Sequence, residues 1–379
     1  MVRTNFLMTA PLLMASFCSA QEKPNVVLIL VDDMGYSDIG CYGGEILTPN
    51  IDALASKGVR FTQFYNTSRS CPARASLMTG LYQHQAGIGQ MSEDPFANPD
   101  QKSPNDWGVQ GYKGYLNRNC VTIAEVLKES GNTTSMIGKW HVAETPLRKD
   151  QREWLAHHVY HDTYSDLCHY PVNRGFDSHY GTIYGVVDYF DPFSLVEGEV
   201  PVKEVPEGYY ITQALSDRAA EEVTEYAKDD KPFFMYLAYT APHWPLHALP
   251  EDIEKYKDTY KVGWEAIRNA RYERQKQLGI FPGMDDFLSE RQFKDRWEDN
   301  AHAEWDARAM AVHAAMIDRM DQGIGQVIDA LEKTGQLDNT LILFLSDNGC
   351  SNENCQNYSP GENDRPDMTR KGEKMVYPH

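Results

Sequence analysis

The sequence lacks any long apolar run beyond residues 1–20, and basic side chains are few for its length. No later apolar stretch reaches the roughly 20 residues that span a bilayer, so no transmembrane segment is expected. The 36 lysines and arginines stand against 55 aspartates and glutamates, which gives a formal net charge of -19. Because this charge repels polyanions such as DNA, the composition argues against a nucleic-acid-binding protein.

Cysteine is also scarce, and this excludes two classes of small-domain architecture. The seven cysteines have irregular spacings, unlike a disulfide scaffold or a zinc ribbon, although Cys350 and Cys355 are close enough in sequence to pair. The histidines at 157, 158, 161 and 169 fit no regular helical spacing, so we expect solvated or substrate-facing side chains there rather than a metal site. Hydrophobic residues make up 41% of the 379 positions, which is enough for a globular core.

The first residues are typical of a secretory signal. Arg3 precedes an apolar stretch from Phe6 to Phe17, and the small residue Ala20 ends the segment before a polar sequence. Phe17 is too bulky for the position before a lipidated cysteine, so we expect cleavage after Ala20, with a lipoprotein anchor at Cys18 as the alternative. The mature protein is therefore expected in the periplasm or secreted.

Apolar strands alternate with amphipathic helices along the rest of the chain. Strands are predicted at 25–31, 59–65, 133–137, 233–239 and 340–346. Helices are predicted from Pro49 to just before Gly58 and at 123–128, 211–227 and 308–333. This alternation predicts an α/β fold whose mostly parallel central sheet carries helices on both faces.

The same pattern suggests how the chain is organised. Residues 21–350 are expected to form one catalytic domain, and the polar residues 351–379 are expected to begin a truncated C-terminal region. Charged and aromatic residues at 145–170 and 258–300 interrupt the alternation, and we interpret both segments as insertions that border the site without a core of their own. The basic cluster from Arg268 to Arg274 is expected to be an exposed helical face.

Polar side chains follow four of the predicted strands directly, and parallel sheets place ligands at those ends. We therefore expect these residues to meet at one edge of the sheet: Asp32, Asp33, Lys139, His141, His243, Asp347 and Asn348. The carboxylate and amide oxygens among them favour a hard cation, with calcium before magnesium. The alternative is that the aspartates only cap turns and helices.

Ser70 is a candidate nucleophile. Pro72 suits the first turn of a helix that continues through Thr79, so Ser70 is expected near the helix N-terminus, where backbone amides and the helix dipole favour an anion. The alternative interpretation is an ordinary N-cap serine.

Five motifs, in order, together resemble the type I, formylglycine-dependent sulfatases (arylsulfatase family, serine type) of the alkaline phosphatase superfamily. The resemblance covers about residues 23–350 and rests on these segments: Lys23–Gly35, Ser70–Arg74 with its Leu77–Gly80 tail, Gly138–His141, Ala241–His243 and Ser346–Gly349. It implies the sulfatase fold with a mostly parallel sheet.

The resemblance also implies a modification at position 70. Alignment on Pro72 and Arg74 places the modified position at Ser70, with Cys71 as its neighbour, and a maturase partner would oxidise Ser70 to formylglycine. An unmodified serine that attacked a sulfate ester would keep the sulfate as a stable ester of its own. A hydrated aldehyde has a second hydroxyl, whose deprotonation expels the sulfate and restores the aldehyde.

The remaining roles are carried over by the same resemblance. One calcium ion would be held by the modified Ser70 and by Asp32, Asp33, Asp347 and Asn348. Arg74 would support the hydrate and Lys139 would hold sulfate, while His141 would assist deprotonation of the hydrate. His243 would protonate the leaving oxygen. The implied activity is that of an exported sulfuric-ester hydrolase acting on sulfated carbohydrate or aryl sulfate.

The C-terminal part of the sequence leaves other functions open. Family members usually continue further and supply a second active-site lysine there, but the context of Lys371 and Lys374 does not match it, so no role is transferred to either. The alternatives are a phosphate or phosphonate ester hydrolase that uses unmodified Ser70, and a noncatalytic glycan-binding remnant.

Overall fold

The computed structural model describes residues 23–92, 108–144, 164–192, 194–282, 288 and 296–351. The strands found there are Asn25–Val31 (β1), Thr133–Gly138 (β2), Ser178–Thr182 (β3), Leu195–Glu197 (β4), Val200–Pro201 (β5), Phe233–Ala238 (β6) and Thr340–Ser346 (β7). The helices are Pro49–Lys57 (α1), Ser70–Thr79 (α2), Gln83–Ala86 (α3), Ile123–Glu129 (α4), Ile211–Tyr226 (α5), Pro250–Glu254 (α6), Trp264–Gln277 (α7) and Ala303–Lys333 (α8).

The strands form a single mixed sheet in the order β5-β4-β3-β2-β6-β1-β7 within the described residues. The strands from β3 to β7 in this order pair in parallel, whereas β4 and β5 add an antiparallel hairpin at one edge. Helices lie in the connections from β1 to β2, from β5 to β6 and from β6 to β7, because a parallel pair cannot be joined by a tight turn. The predicted α/β class with a mostly parallel sheet is confirmed.

Helices cover both faces of the sheet, as the strand β1 illustrates. Its odd-numbered residues Val27, Ile29 and Val31 lie in a core layer built with α5 and α8. Its even-numbered residues Leu28 and Leu30 lie in a second layer built with α2 and α4. Both sets are at most 3% exposed, and burying each such side chain contributes about 1.5–3 kcal/mol. This double burial explains why β1 is a continuous apolar run rather than an alternating one.

The long helix α8 is amphipathic along its 31 residues. Its buried stripe includes Ala311, Ile317 and Ile324, and this face packs in the same core layer as α5. Glu304 lies in its first turn and Lys333 in its last, so both charges complement the helix dipole.

The strand predicted at 59–65 is wrong, because these residues are irregular in the structure. Val59, Phe61, Phe64 and Tyr65 are between 60% and 86% exposed. The alternation is only partial, since Gln63 and Phe64 break its period, and among the described residues no strand pairs with this segment. A period of two therefore did not suffice to specify a strand here.

Several predictions fall on residues outside the described ranges. They concern the signal segment 1–20, the tail 352–379 with Lys371 and Lys374, the partner cysteine Cys355, and His157, His158 and His161. None of the helices in the described part has the length and apolar composition of a bilayer-spanning segment.

Candidate active site at the ends of four parallel strands

Most of the predicted site residues follow β1, β2, β6 and β7, which are neighbours in the sheet, whereas Ser70 and Arg74 lie on α2. Backbone pairing continues past the strand ends: Asp32 N donates to Ala241 O at 3.0 Å, and Asp347 N donates to Val31 O at 3.0 Å. The structure brings nine predicted residues into one group, which we call the Ser70 cluster: Asp32, Asp33, Ser70, Arg74, Lys139, His141, His243, Asp347 and Asn348.

A glycine lets β2 and β6 approach closely beside this cluster. Gly138 ends β2 with a φ of +112°, and a Cβ added there would lie 1.8 Å from the carbonyl oxygen of Ala238. Only glycine fits both the positive φ and the close approach of this carbonyl. The approach lets Lys139 N donate to the same carbonyl at 2.8 Å. The next residues, Trp140 and His141, are thereby held at the edge of the sheet.

Ser70 begins α2 and is 5% exposed. Its Oγ lies 3.2 Å from His141 Nδ1 and 3.4 Å from Asp32 Oδ1, and it accepts a hydrogen bond from Arg74 Nε at 3.0 Å. The N-cap position belongs to Arg69, and no side chain caps the helix, so the interpretation of Ser70 as an ordinary N-cap serine is wrong. The Ser70 hydroxyl instead points into the group of charged residues.

Arg74 lies one helical turn after Ser70 and is fully buried. Its Nη2 lies 2.9 Å from Asp347 Oδ2 and 3.2 Å from Asp32 Oδ1, and its Nη1 donates to the Lys139 carbonyl at 3.0 Å. Burial alone would lower the pKa of Arg74, but the carboxylates of Asp347 and Asp32 outweigh it and raise the pKa. The guanidinium is therefore a fixed positive charge that joins the ends of β1, β2 and β7.

Lys139 forms a second buried ion pair in the cluster. Its Nζ lies 2.5 Å from Asp32 Oδ2, and neither side chain is exposed. Burial opposes ionisation of Asp32, but Lys139, His243 and Arg74 together lower the pKa of that carboxyl below its ordinary value. Asp32 is accordingly a carboxylate held between two cations.

Asp347 shows the opposite shift. Burial and the nearby carboxylate of Asp32 raise its pKa, although Arg74 and Lys139 act against them. Oxygen atoms of Asp32, Asp33 and Asp347 all lie within 4.8 Å of one another. This repulsion between carboxylates would be relieved by a cation placed among their oxygens.

The donor set fits a hard cation, since it consists of oxygen atoms from carboxylates. Asn348 Nδ2 donates to Asp33 Oδ1, which places the Asn348 carboxamide beside the same group. A half-turn of that carboxamide presents its oxygen in place of its nitrogen. Asp33 itself has a φ of 61°, an uncommon conformation for a residue with a side chain. The cation ligands predicted from the sequence can thus act together at one position.

His243 lies at the border of the cluster, with a side chain that is 11% exposed. Its Nδ1 lies 2.6 Å from the carbonyl oxygen of Trp244, and because a carbonyl can only accept, Nδ1 carries a proton. Its Nε2 faces Asp33 Oδ2 at 3.5 Å. This contact is an ion pair only when His243 is also protonated at Nε2.

Sequence reasoning missed Tyr189, which supports the turn that carries His243. Its hydroxyl lies 2.7 Å from the carbonyl oxygen of Thr240 and 2.8 Å from that of His243. Tyr189 belongs to the connection between β3 and β4 and to none of the motifs. No local pattern signals it, because the contacts join segments that are 51 and 54 residues apart.

Arg271 departs from the exposed helical face predicted for the cluster 268–274. Arg271 lies on α7 with a side chain that is 18% exposed, and it pairs with Asp38 at 2.5 Å and with Glu45 at 2.7 Å. Arg274 Nε donates to the Gly43 carbonyl at 2.7 Å. Helix α7 therefore holds the loop that follows Asp33, which a one-dimensional charge pattern does not reveal.

His169, one of the four clustered histidines, is paired within the protein. Its Nδ1 lies 2.6 Å from Glu144 Oε2, and its ring stacks on Tyr115 with ring centres 3.9 Å apart. The backbone carbonyl of His169 accepts a hydrogen bond from Trp140 Nε1 at 2.9 Å. His169 thus stabilises the segment that carries Lys139 and His141.

Comparisons with known proteins identify relatives. A protein-family model described as Sulfatase matches residues 24–370. The chain is similar to the arylsulfatase of Klebsiella aerogenes, with 35% identity over 335 residues that cover 87% of this chain and 67% of that protein. It is also similar to an uncharacterized sulfatase of Schizosaccharomyces pombe, with 34% identity over 347 residues that cover 86% of this chain and 58% of that protein.

Solved structures share the fold. A crystal structure of Ps i-CgsB in complex with k-i-k-neocarrahexaose matches with a TM-score of 0.58 and 29% identity, covering 87% of this chain and 59% of that chain. This chain thus spans between 58% and 67% of the length of the two curated relatives.

Proposed function

We propose that this chain, which belongs to the sulfatase family, hydrolyses sulfate esters at the Ser70 cluster. One observation carries the proposal. The buried Ser70 Oγ lies within 3.4 Å of Asp32, His141 and Arg74, beside three carboxylates whose oxygens lie within 4.8 Å of one another. A nucleophile position, a proton acceptor, fixed cations and a cation site thus lie together.

The proposal includes conversion of Ser70 to formylglycine by a maturase. When present, the hydrated aldehyde supplies one hydroxyl to attack sulfur and a second whose deprotonation releases sulfate. The residues around position 70 suit this task. His141 Nδ1, at 3.2 Å from Oγ, is placed to take a proton from an oxygen there, and Arg74 Nε donates to the same oxygen at 3.0 Å. A hydrogen bond from a guanidinium stabilises developing negative charge on that oxygen.

The proposal also includes one calcium ion, held by Asp32, Asp33, Asp347 and Asn348 together with the residue at position 70. Calcium would polarise the sulfate oxygens and orient the nucleophile. The oxygen-only donor set favours calcium over zinc. Arg74 and Lys139 supply two further positive charges to the buried site, and Lys139 is assigned to hold sulfate.

His243 is assigned to the leaving oxygen. A proton on Nε2 would pass to the ester oxygen as the S–O bond breaks and its electron pair stays on that oxygen. During this transfer Nδ1 keeps its own proton, which it donates to the Trp244 carbonyl in a hydrogen bond, so the ring orientation does not change. The His243 side chain lies at the partly exposed border of the cluster, which is where a leaving alcohol would depart.

The proposed substrate class is sulfated carbohydrate or aryl sulfate. Support comes from two similar proteins: the arylsulfatase of Klebsiella aerogenes, and Ps i-CgsB with its bound k-i-k-neocarrahexaose.

Export to the periplasm or medium is proposed from residues 1–20, and sequencing the N-terminus of the protein recovered from each cell fraction tests it.

The test of the function combines mass and turnover. The chain is coexpressed with a formylglycine-generating maturase, loaded with calcium and assayed on 4-nitrophenyl sulfate and 4-nitrophenyl phosphate. The expected result is turnover of the sulfate together with loss of two hydrogen atoms from the peptide that contains Ser70. Turnover of either ester by protein with an intact Ser70 would contradict the proposal. Turnover of 4-nitrophenyl phosphate by that protein would favour the phosphate or phosphonate hydrolase. Binding of a sulfated sugar without any turnover would favour the noncatalytic alternative.

A further inference from the structure

One tyrosine hydroxyl contacts both ends of the turn that carries His243. Tyr189 is 1% exposed, and its hydroxyl reaches the Thr240 carbonyl at 2.7 Å and the His243 carbonyl at 2.8 Å. The turn is closed by His243 N, which donates to the same Thr240 carbonyl at 3.1 Å. The single hydroxyl proton is shared between the two carbonyls, and this bifurcated hydrogen bond links both ends of the turn where the His243 side chain leaves the backbone.

The position of Tyr189 is itself fixed from several sides. Its carbonyl accepts a hydrogen bond from Ile211 N at 2.8 Å, and its N donates to His247 Nδ1 at 3.5 Å. Its ring packs against that of Tyr210, with centres 5.8 Å apart. Burial, and after it the neighbouring Tyr210 and Asp32, raise the pKa of Tyr189 well above its usual value, so the phenol keeps its proton. A rigid, protonated donor is suited to holding a turn in place.

We infer that Tyr189 is a positioning residue for His243, holding the turn 240–243 so that Nε2 faces the carboxylates at the cation site. This inference rests on the proposed function, in which His243 protonates the leaving oxygen. Tyr189 need not touch substrate to act. It sets where the donor atom of His243 lies, and small displacements of a catalytic group reduce its contribution.

Leaving-group dependence separates positioning from general support of the fold. Protonation matters greatly for a basic leaving alcohol and little for an acidic nitrophenol, which departs as an anion. A displaced His243 therefore slows alkyl and sugar sulfates while nitrophenyl sulfates react almost normally. A loosened active site would slow all substrates alike.

The experiment uses the matured, calcium-loaded full chain and a series of sulfate esters that runs from nitrophenols through phenol to a simple alcohol. Tyr189→Phe is compared with Tyr210→Phe, a matched control. Tyr210 is also buried, and its hydroxyl donates to the His247 carbonyl at 2.9 Å, outside the turn. We expect Tyr189→Phe to lose roughly 10- to 100-fold in kcat/KM on the alcohol ester and less than about threefold on the nitrophenyl ester. Tyr210→Phe should show no such trend.

A double variant supplies the next comparison. Once His243→Asn has removed the proton donor, adding Tyr189→Phe should not steepen the leaving-group dependence further. An equal loss on all esters, or a fully additive double variant, overturns the inference while the proposed function stands. Absence of turnover on every sulfate ester by the unaltered protein overturns both.

A measurement that does not depend on turnover completes the test. In protein labelled with ¹⁵N-histidine, the ring signals of His243, assigned by their loss in His243→Asn, should shift in Tyr189→Phe and stay in place in Tyr210→Phe. Unshifted His243 signals in a folded Tyr189→Phe protein overturn the inference.

Discussion

The backbone N–H of Asp33 donates to Oδ1 of Asp347 at 3.3 Å, although the two residues are 314 positions apart in the chain. This bond joins the segments that follow β1 and β7, and Arg74 joins the same two segments through Asp32 and Asp347. The carboxylates of the Ser70 cluster therefore come together only when the sheet is complete from β1 to β7. Their function is expected to be lost when this part of the fold is lost.

Position 70, and not the adjacent cysteine, should carry the activity. Ser70→Ala removes the oxygen at the centre of the cluster and should reduce kcat by at least about 10³-fold on 4-nitrophenyl sulfate. Cys71→Ala alters the next residue of α2, which is fully buried in an apolar core layer. This substitution should cost only about 1 kcal/mol of stability while activity remains. Loss of activity in Cys71→Ala, with Ser70→Ala active, would place the modified residue at position 71.

Calcium should stabilise the folded protein through the carboxylates. A ligand at 100 times its Kd adds about 2.7 kcal/mol to the free energy of unfolding, which is measurable as a rise in Tm. Asp33→Ala should abolish most of that rise, because it removes one of the three clustered carboxylates. The exposed Asp229 provides the control, and Asp229→Ala should leave the calcium-dependent rise unchanged. A full rise in Asp33→Ala would count against the assigned site.

Arg271 should matter more for stability than its place in a basic cluster suggests. Arg271→Gln leaves Asp38 without its cation and leaves Glu45 with only Arg274, whose Nη2 lies 3.5 Å away; the Asp38 and Glu45 side chains are only 7% and 11% exposed. The free energy of unfolding should fall by about 2–4 kcal/mol, measured by urea denaturation. Arg296→Gln, at a side chain that is 71% exposed, should change it by less than about 0.5 kcal/mol. Equal effects of the two substitutions would contradict the described role of Arg271.

His179 on β3 should make the fold sensitive to acid. It is buried, and burial lowers its pKa from the ordinary 6.5 to about 4. The unfolded chain takes up this proton as pH falls below 6.5, whereas the folded protein does so only near pH 4, so stability is lost between these values. The loss from this residue approaches about 3 kcal/mol.

Comparing His179→Phe with the unaltered protein isolates this contribution from other titrating groups. Urea denaturation at about pH 7 and about pH 4.5 should show a smaller loss of stability in the variant. Equal losses in both proteins would show that His179 is not responsible.

Elements with long apolar patterns were predictable from the sequence. β1 and β7 are continuous apolar runs, and α5 and α8 have apolar residues at helical spacing over many turns. The short strands β4 and β5 span only three and two residues, which is too few for a periodic signal. Residues 59–65 failed for a different reason: alternation records which side chains are apolar, but it does not specify a partner strand.

The candidate site was predictable to the extent that it follows from topology. Polar residues directly after parallel strands must lie at one edge of the sheet, so Asp32 and Asp347 could be placed together without knowing the loops. Tyr189 and Arg271 could not be placed in this way. Their contacts depend on how a connection and an added helix pack against distant turns, and neither residue type signals such a contact by itself.

The pairing of β2, β6, β1 and β7 has a consequence for how substrate preference can change. Neighbouring strands lie about 4.8 Å apart, a distance set by backbone hydrogen bonds that all sequences share. The separation between the charged groups at their ends is therefore inherited from the peptide backbone. Replacement of the surrounding loops can alter which alcohol is accepted while the dimensions of the reaction centre stay constant.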